Sequence, residues 1–155
     1  MQLGLCGSSD NSNNRQSNIF FVQTETPLAI PFGEGTETTV LTVPVQVTSN
    51  LQPVLINGLV QIQGLIPQAT PSYQYGVTMR IRHNGSLLFT QALQLGGNPP
   101  ANIAHSNINS IPISLVHNNT SLATNTYTVT LTYSLRSVTG ITITAQSRSL
   151  NVLTI

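Results

Sequence analysis

No lysine occurs in this sequence, and no carboxylate side chain follows Glu37. The four acids, Asp10, Glu25, Glu34 and Glu37, all lie near the start. The body of the chain carries only Arg80, Arg82, Arg136 and Arg148 as fixed charges. Most enzyme chemistry uses a carboxylate to orient a base, hold a metal or pass a proton. A body without one is expected to work through shape and assembly, with no catalytic residue, no cofactor and no metal centre. A Ser/His/Asp triad fails at its third member, since Asp10 is the only aspartate. His83, His105 and His117 lack the local spacing of zinc ligands. They are expected as exposed histidines at loop ends, the alternative being one histidine from each of three subunits on a threefold axis. Few arginines and no interleaved aromatics argue against nucleic acid as a partner. No apolar run approaches the roughly 18 residues of a membrane-crossing helix, so no membrane insertion is expected.

What remains is an uncharged but apolar chain. Charged residues make up 6% of it, against about 25% in ordinary soluble domains. Hydrophobic content of 39% separates it from disordered sequences, which combine low hydrophobicity with high charge. A net charge of +1 opposes self-association only weakly. A length of 155 residues suits one domain that buries roughly 70% of its unfolded surface. The first residues have neither a basic segment nor an apolar one of secretory type, and Met1 favours a protein made and used without that export route. No hydrophobic segment precedes Cys6, which argues against a lipoprotein anchor.

Residues 1–18 read as a connector arm. The run Gly7-Ser-Ser-Asp-Asn-Ser-Asn-Asn is a flexible polar tract, and Leu3, Leu5 and Cys6 form a short apolar patch ahead of it. From residue 19 to residue 155 the hydrophobic period is two, which predicts one β domain. Strands are expected at residues 19–24, 39–48, 54–66, 73–82, 86–95, 111–117 and 127–135, with two more stretches near the C-terminus. Pro44 predicts an edge position or bulge in its strand, Asn57-Gly58 a break or bulge, and Pro112 an interruption. Asn84-Gly85 is the strongest hairpin signal, because both residues tolerate the positive φ of a type I′ turn. About eight strands without a helix predict an all-β jelly-roll sandwich. Its expected core includes Val43, Val45, Val77, Met79, Ile81, Val129, Leu131 and Ile143.

Cys6 cannot pair within the chain, and its place in an exposed arm suggests a bond or contact with another chain. The charge is divided as well. Residues 1–37 carry four acids and Arg15, a net of −3, while residues 38–155 carry four arginines, a net of +4. A negative segment docking on the positive body of a neighbour would be favoured. The Asn-X-Ser/Thr triplets at Asn84, Asn118 and Asn119 are expected to serve as turns rather than glycosylation sites.

The C-terminal segments Tyr127-Thr-Val-Thr-Leu-Thr-Tyr, Ile141-Thr-Ile-Thr-Ala and Arg148-Ser-Leu-Asn-Val-Leu-Thr-Ile resemble the last strands of bacterial spore-surface jelly rolls of the TNF/C1q-like type. The group includes subunits of endospore appendages and exosporium fibres. The resemblance implies a structural subunit that polymerises with copies of itself on a spore surface or in an extracellular fibre. It does so through a cysteine-bearing arm and augmented sheet edges. Leu3, Leu5, Ile19, Phe20, Phe21 and Val22 are then the expected subunit-contact residues, with Cys6 as the cross-linking or contact residue. The Ile19-Phe-Phe-Val strand either adds to a neighbour or completes its own sheet, leaving residues 1–18 to reach out. The same resemblance admits an alternative, a closed trimer acting as a receptor-binding or adhesin tip.

Overall fold

The structure, a computed structural model, describes residues 17–48, 50–100, 102–118 and 120–155. These residues form nine strands: β1 (Ile19–Thr24), β2 (Leu28–Ile30), β3 (Thr38–Gln46), β4 (Val54–Ile66), β5 (Tyr73–His83), β6 (Ser86–Gly97), β7 (His105–His117), β8 (Thr124–Arg136) and β9 (Thr142–Thr154). The fold starts from the turn between β5 and β6. Asn84 and Gly85 sit at φ of 48° and 85°, the doubly positive backbone whose twist matches that of the flanking strands. Pairs then nest outward from this turn: β5 with β6, β4 with β7, β3 with β8 and β2 with β9. Their partners are symmetric about Gly85, as shown by Ile81 with Phe89, Tyr73 with Gly97, Val43 with Tyr127 and Leu41 with Val129. The chain is thus one long hairpin, rolled so that β9 also meets β4 and β8 also meets β5. That roll produces two antiparallel sheets, here sheet A (β1-β9-β4-β7, with β2 beside β9) and sheet B (β3-β8-β5-β6). The architecture is the jelly-roll sandwich that the alternation predicts.

Period-two patterning puts one side of each sheet into a shared core. All eight core residues expected from the sequence are buried, and Tyr75, Tyr127 and Tyr133 are the largest side chains wholly enclosed. Two of these tyrosines give the hydroxyl a polar partner, as buried tyrosines generally do. Tyr133 donates to the Ile141 carbonyl at 3.0 Å and Tyr127 lies 2.9 Å from His117 Nδ1, whereas the Tyr75 hydroxyl, near Asn107 and Asn109, is buried without a hydrogen-bond partner among the described residues.

Several local expectations are corrected. Asn57-Gly58 neither splits β4 nor bulges it, since register runs unbroken through both residues on the β7 side and on the β9 side. Glycine stands at 58 because a Cβ there would lie 2.3 Å from the Ser149 carbonyl oxygen. The β4/β9 irregularity falls instead between Val60 and Ile62. Pro112 does not interrupt β7, which already begins at His105. Like Pro44 in β3, it occupies an edge strand, where the missing N–H can be tolerated. The two expected C-terminal stretches are one continuous β9. Its bulge is held by the buried Arg148, which donates to the carbonyls of Ala145 (2.7 Å), Gln146 (2.9 Å) and Thr26 (2.9 Å).

Two substitutions test this packing. Leu131→Ala opens a cavity between the sheets and should cost about 2–5 kcal/mol in chemical denaturation. Gly58→Ala adds a single methyl against backbone and should destabilise strongly, whereas Gly35→Ser, where nothing lies within 4 Å of the Cβ position, should carry only the strain of its positive φ.

Candidate functional site

Two features of the surface stand out once the strands are placed. The first is a pair of free edges. β6 pairs only with β5, and β7 only with β4, among the described residues. The sheet orders place β6 and β7 opposite each other on one side of the sandwich, while on the other side β1 packs against β3. β6 is 12 residues long and carries neither charge nor proline, with Leu88 an extra residue in its pairing with β5; β7 is 13 long with Pro112 and no arginine or acid. Proteins ordinarily blunt long edges with charges, prolines or bulges, because unpaired N–H and C=O groups recruit further strands. β3, the remaining edge of sheet B, is blunted by Pro44 and a register shift between Thr39 and Leu41. Between β6 and β7 the apolar side chains of Phe89, Leu93, Leu95 and Leu115 are only partly covered.

The second feature is the outer face of sheet A. Register aligns Ile19, Leu153, Leu55 and Val116 in one row across its four strands. Ile19 and Val116 are 59% and 55% exposed, and Phe21 and Leu59 extend the patch along the strands. No acid or arginine reaches this face, since the only arginine in these strands, Arg148, points inward and is buried. Toward the other end a ladder of amides replaces the apolar row: Gln146 donates to Gln63 at 2.7 Å, and Gln63 donates to Ser106 at 2.8 Å.

The charges lie on sheet B and are largely matched within the chain. Glu37 accepts from Arg82 Nη2 at 2.7 Å and Nε at 3.2 Å, approaches Arg80 Nη1 at 3.4 Å and accepts from the Thr130 hydroxyl at 2.9 Å. The paired Arg82 guanidinium holds the Glu37 carboxyl below the usual carboxylate range, against an opposing effect of burial. The guanidinium of Arg136 lies 4.0 Å from the centroid of the Phe32 ring, which meets Tyr133 edge-on. The N-terminal acids are therefore not all directed at a neighbour: Glu37 serves its own chain.

His83 and His117, far apart in sequence, come together with ring centroids 4.5 Å apart, while His105 lies beside Tyr73 at the opposite end of the β6/β7 side. Sequence spacing cannot show this pairing, because it is made by strands of different sheets. A shallow hollow lined by Ser72, Tyr73, Gln74, Gln94, Leu95, Gly96 and Ser137 is polar and contains no acid, histidine or cysteine. No group of three or more metal-binding side chains occurs among the described residues.

The subunit-contact residues expected from the sequence divide three ways. Ile19 and Phe21 project from sheet A, whereas Phe20 and Val22 pack against the core. The β1 strand carrying them completes its own sheet, paired in register with β9 from Ile19–Leu153 to Thr24–Arg148. Its entry is fixed by Asn18 and Thr154, which exchange bonds of 2.9 and 3.0 Å. Leu3, Leu5 and Cys6 lie outside the described residues. Leu55, Val116 and Leu153 were not among the expected contacts. The signal for them was the loss of strict alternation in β4 and near the end of β9, where both faces carry aliphatic residues.

No family model and no curated protein matches the chain. Solved structures share its fold. T=1 particles derived from infectious bursal disease virus superpose with a TM-score of 0.54 at 12% identity, over 99% of this chain and 36% of theirs. The T=13 particle of that virus gives 0.52 at 14% identity, over 96% and 32%. The Gx strain structure gives 0.51 at 14%, over 99% and 36%. The chain spans about a third of the length of these viral proteins, and at such identity the likeness shows the fold alone.

The Glu37 cluster predicts a pH dependence. A carboxyl with a lowered folded pKa contributes stability that is present above its unfolded value of 4.5 and lost as pH falls through the folded one. Glu37→Gln should lower the urea midpoint at neutral pH and shrink the acid-induced loss seen in the wild type.

Proposed function

We propose that this protein is a structural subunit that assembles with copies of itself into a fibre at a bacterial spore surface or outside the cell. The observation that carries the proposal is the pair of long edges without arginine or acid, β6 and β7, on one side of the sandwich, interrupted by the extra residue Leu88 and by Pro112. Strand addition at such an edge supplies backbone hydrogen bonds regardless of side chains. Where such an edge joins a different surface of the next copy, the contact is heterologous, which gives an open polymer rather than a closed ring when its rotation does not close. The low net charge removes the main obstacle to close stacking of identical copies. Residues 1–16 then act as a tether to the next subunit, with Cys6 able to form one covalent link between chains under oxidising conditions. The resemblance of the C-terminal strands to spore-surface jelly rolls supports that location. The fold likeness to proteins of viral particles is compatible with a structural role and adds no partner. The protein is read as neither an enzyme nor a nucleic-acid binder, because its sequence has no carboxylate after Glu37 and few arginines. No helix of the described residues is long and apolar enough to cross a membrane.

A closed trimer is the second reading, and the uncharged apolar row on sheet A favours it. That row could be covered by threefold packing instead of facing solvent.

Electron microscopy of purified protein separates the two, since fibres support the first reading and uniform compact particles the second. Removing residues 1–16 leaves the Asn18–Thr154 bonds in place and should give a folded domain whose polymerisation is abolished or greatly slowed. On non-reducing gels, assembled wild type should show a dimer band that Cys6→Ser lacks. If both run only as monomer, the covalent link is ruled out while edge pairing stands.

A further inference from the structure

The β6/β7 side is fastened at its two ends and open between them. At one end the Asn107 amide of β7 hydrogen-bonds the Tyr73 hydroxyl of β5. At the other, His83 closes β5 and His117 closes β7, so their rings meet across the two sheets. Tyr127 of β8 completes this second fastening. Its ring centroid is 5.1 Å from that of His83 and 5.9 Å from that of His117. Its hydroxyl lies 2.9 Å from His117 Nδ1.

His83 Nε2 is held between two side-chain amides. The Asn125 amide nitrogen donates to the carbonyls of Ser121 (3.0 Å) and Ala123 (2.9 Å). Its Oδ1 faces His83 Nε2 at 2.6 Å, and the Asn84 amide nitrogen lies 3.2 Å from the same Nε2. Other groups around the pair offer no counter-charge. β3 presents Val43 and Val45 opposite Tyr127 and Asn125, and β4 presents Val54 opposite His117. Asn84 gives its Oδ1 to the Thr126 N–H. Tyr127 is pushed up to about 12 by burial and remains a neutral phenol. Arg82, the neighbour of His83 in sequence, is turned to the other face, where it binds Glu37 and the Gly85 carbonyl. Neither imidazole has an ion pair with a carboxylate among the described residues.

We propose that His83 and His117 form an acid-sensitive clasp across the two sheets. It is closed while the His117 ring is neutral and released on its protonation, and so governs how far the β6 and β7 edges open to a second copy. The part concerning a second copy rests on the self-assembly proposed above; the clasp itself does not. Burial and the neighbouring His83 hold the His117 pKa below its usual 6.5. As pH falls from that value, the unfolded or opened chain takes up the proton before the closed one does, so closure weakens toward acid and is fully retained above it.

Hydrogen exchange on the full-length chain, kept dispersed and expressed as protection over intrinsic rates, tests the clasp between about pH 7.5 and about pH 5. Protection at the start of β6 and the end of β7 should fall by about tenfold for each unit by which closure lowers the pKa. Protection of the β3–β8 pair should hold. His117→Gln, which can still hydrogen-bond Tyr127, should remove the pH dependence. An equal fall in wild type and variant, or none in wild type, would overturn the clasp. If His117→Gln does not fold, an NMR titration of the wild type serves instead: the amides of Ser86 and Leu115 should shift with the midpoint of His117, and independent movement overturns the proposal. Opening at acid pH without fibres at any pH would leave the clasp standing and count against the fibre reading. Fibres that grow equally at both pH values, with protection unchanged, would count against the clasp alone.

Discussion

Everything in this sandwich is referred to the turn at Asn84 and Gly85. Two consecutive residues with positive φ set the pairing of β5 with β6, and each outer pair inherits its register from the one inside it. A slip of one residue at the turn would exchange the two faces of every strand. Tyr75, Val77, Met79 and Ile81 would move to solvent, and Arg80 and Arg82 would move inside. No pairing of that kind could be compensated, since the chain holds too few charges to neutralise buried arginines. The hydrophobic pattern and the turn therefore specify the same register, and their agreement is what makes a sequence this poor in charge fold to one structure.

Low charge has a second consequence, at the surface. Ordinary domains surround themselves with lysine and glutamate, which keep edges and faces from meeting those of other copies. This protein uses threonine, serine, asparagine and glutamine instead, and the charges it has are turned to internal tasks. Glu37 gathers Arg80 and Arg82 over the outer face of sheet B, Arg148 satisfies the carbonyls of a bulge, and Arg136 stacks on Phe32. Sheet A's outer face is left neutral, with aliphatic side chains across four strands. Such a surface is what the self-assembly proposed above would cover.

The asymmetry between the two sides of the sandwich gives that surface a direction. On one side β1 packs against β3, and the edge of sheet B is protected by Pro44. On the other, β6 and β7 have no strand partner on their outer sides among the described residues, and the two sheets are fastened where His83 meets His117 and where Tyr73 meets Asn107. Core tyrosines reach both fastenings, with Tyr127 at one end and Tyr75 beside the other, so the seam is coupled to the interior rather than merely lying at its rim.

Much of this was legible in the amino-acid order. Period-two alternation with β-branched residues determined the strands, the core residues and the absence of helix, because burial of one face of a sheet demands that period. Asn84-Gly85 determined the central hairpin, because few other pairs tolerate its backbone. The lack of carboxylates after Glu37 set the expectation of a structural rather than a catalytic role. Only the tertiary structure decided which strands became edges, since pairing is a property of partners and not of a strand's own composition. It placed Pro44 on an edge, as its residue type suggested, and Pro112 on another, where it read locally as an interruption. It explained Gly58 by the carbonyl of Ser149, a residue from the other end of the chain that no local rule connects to it. It brought His83 to His117 from separate sheets, and Glu37 to Arg82 across sheet B. Contacts between residues distant in sequence depend on the roll of the whole hairpin, and that roll exists only once all the pairs have formed.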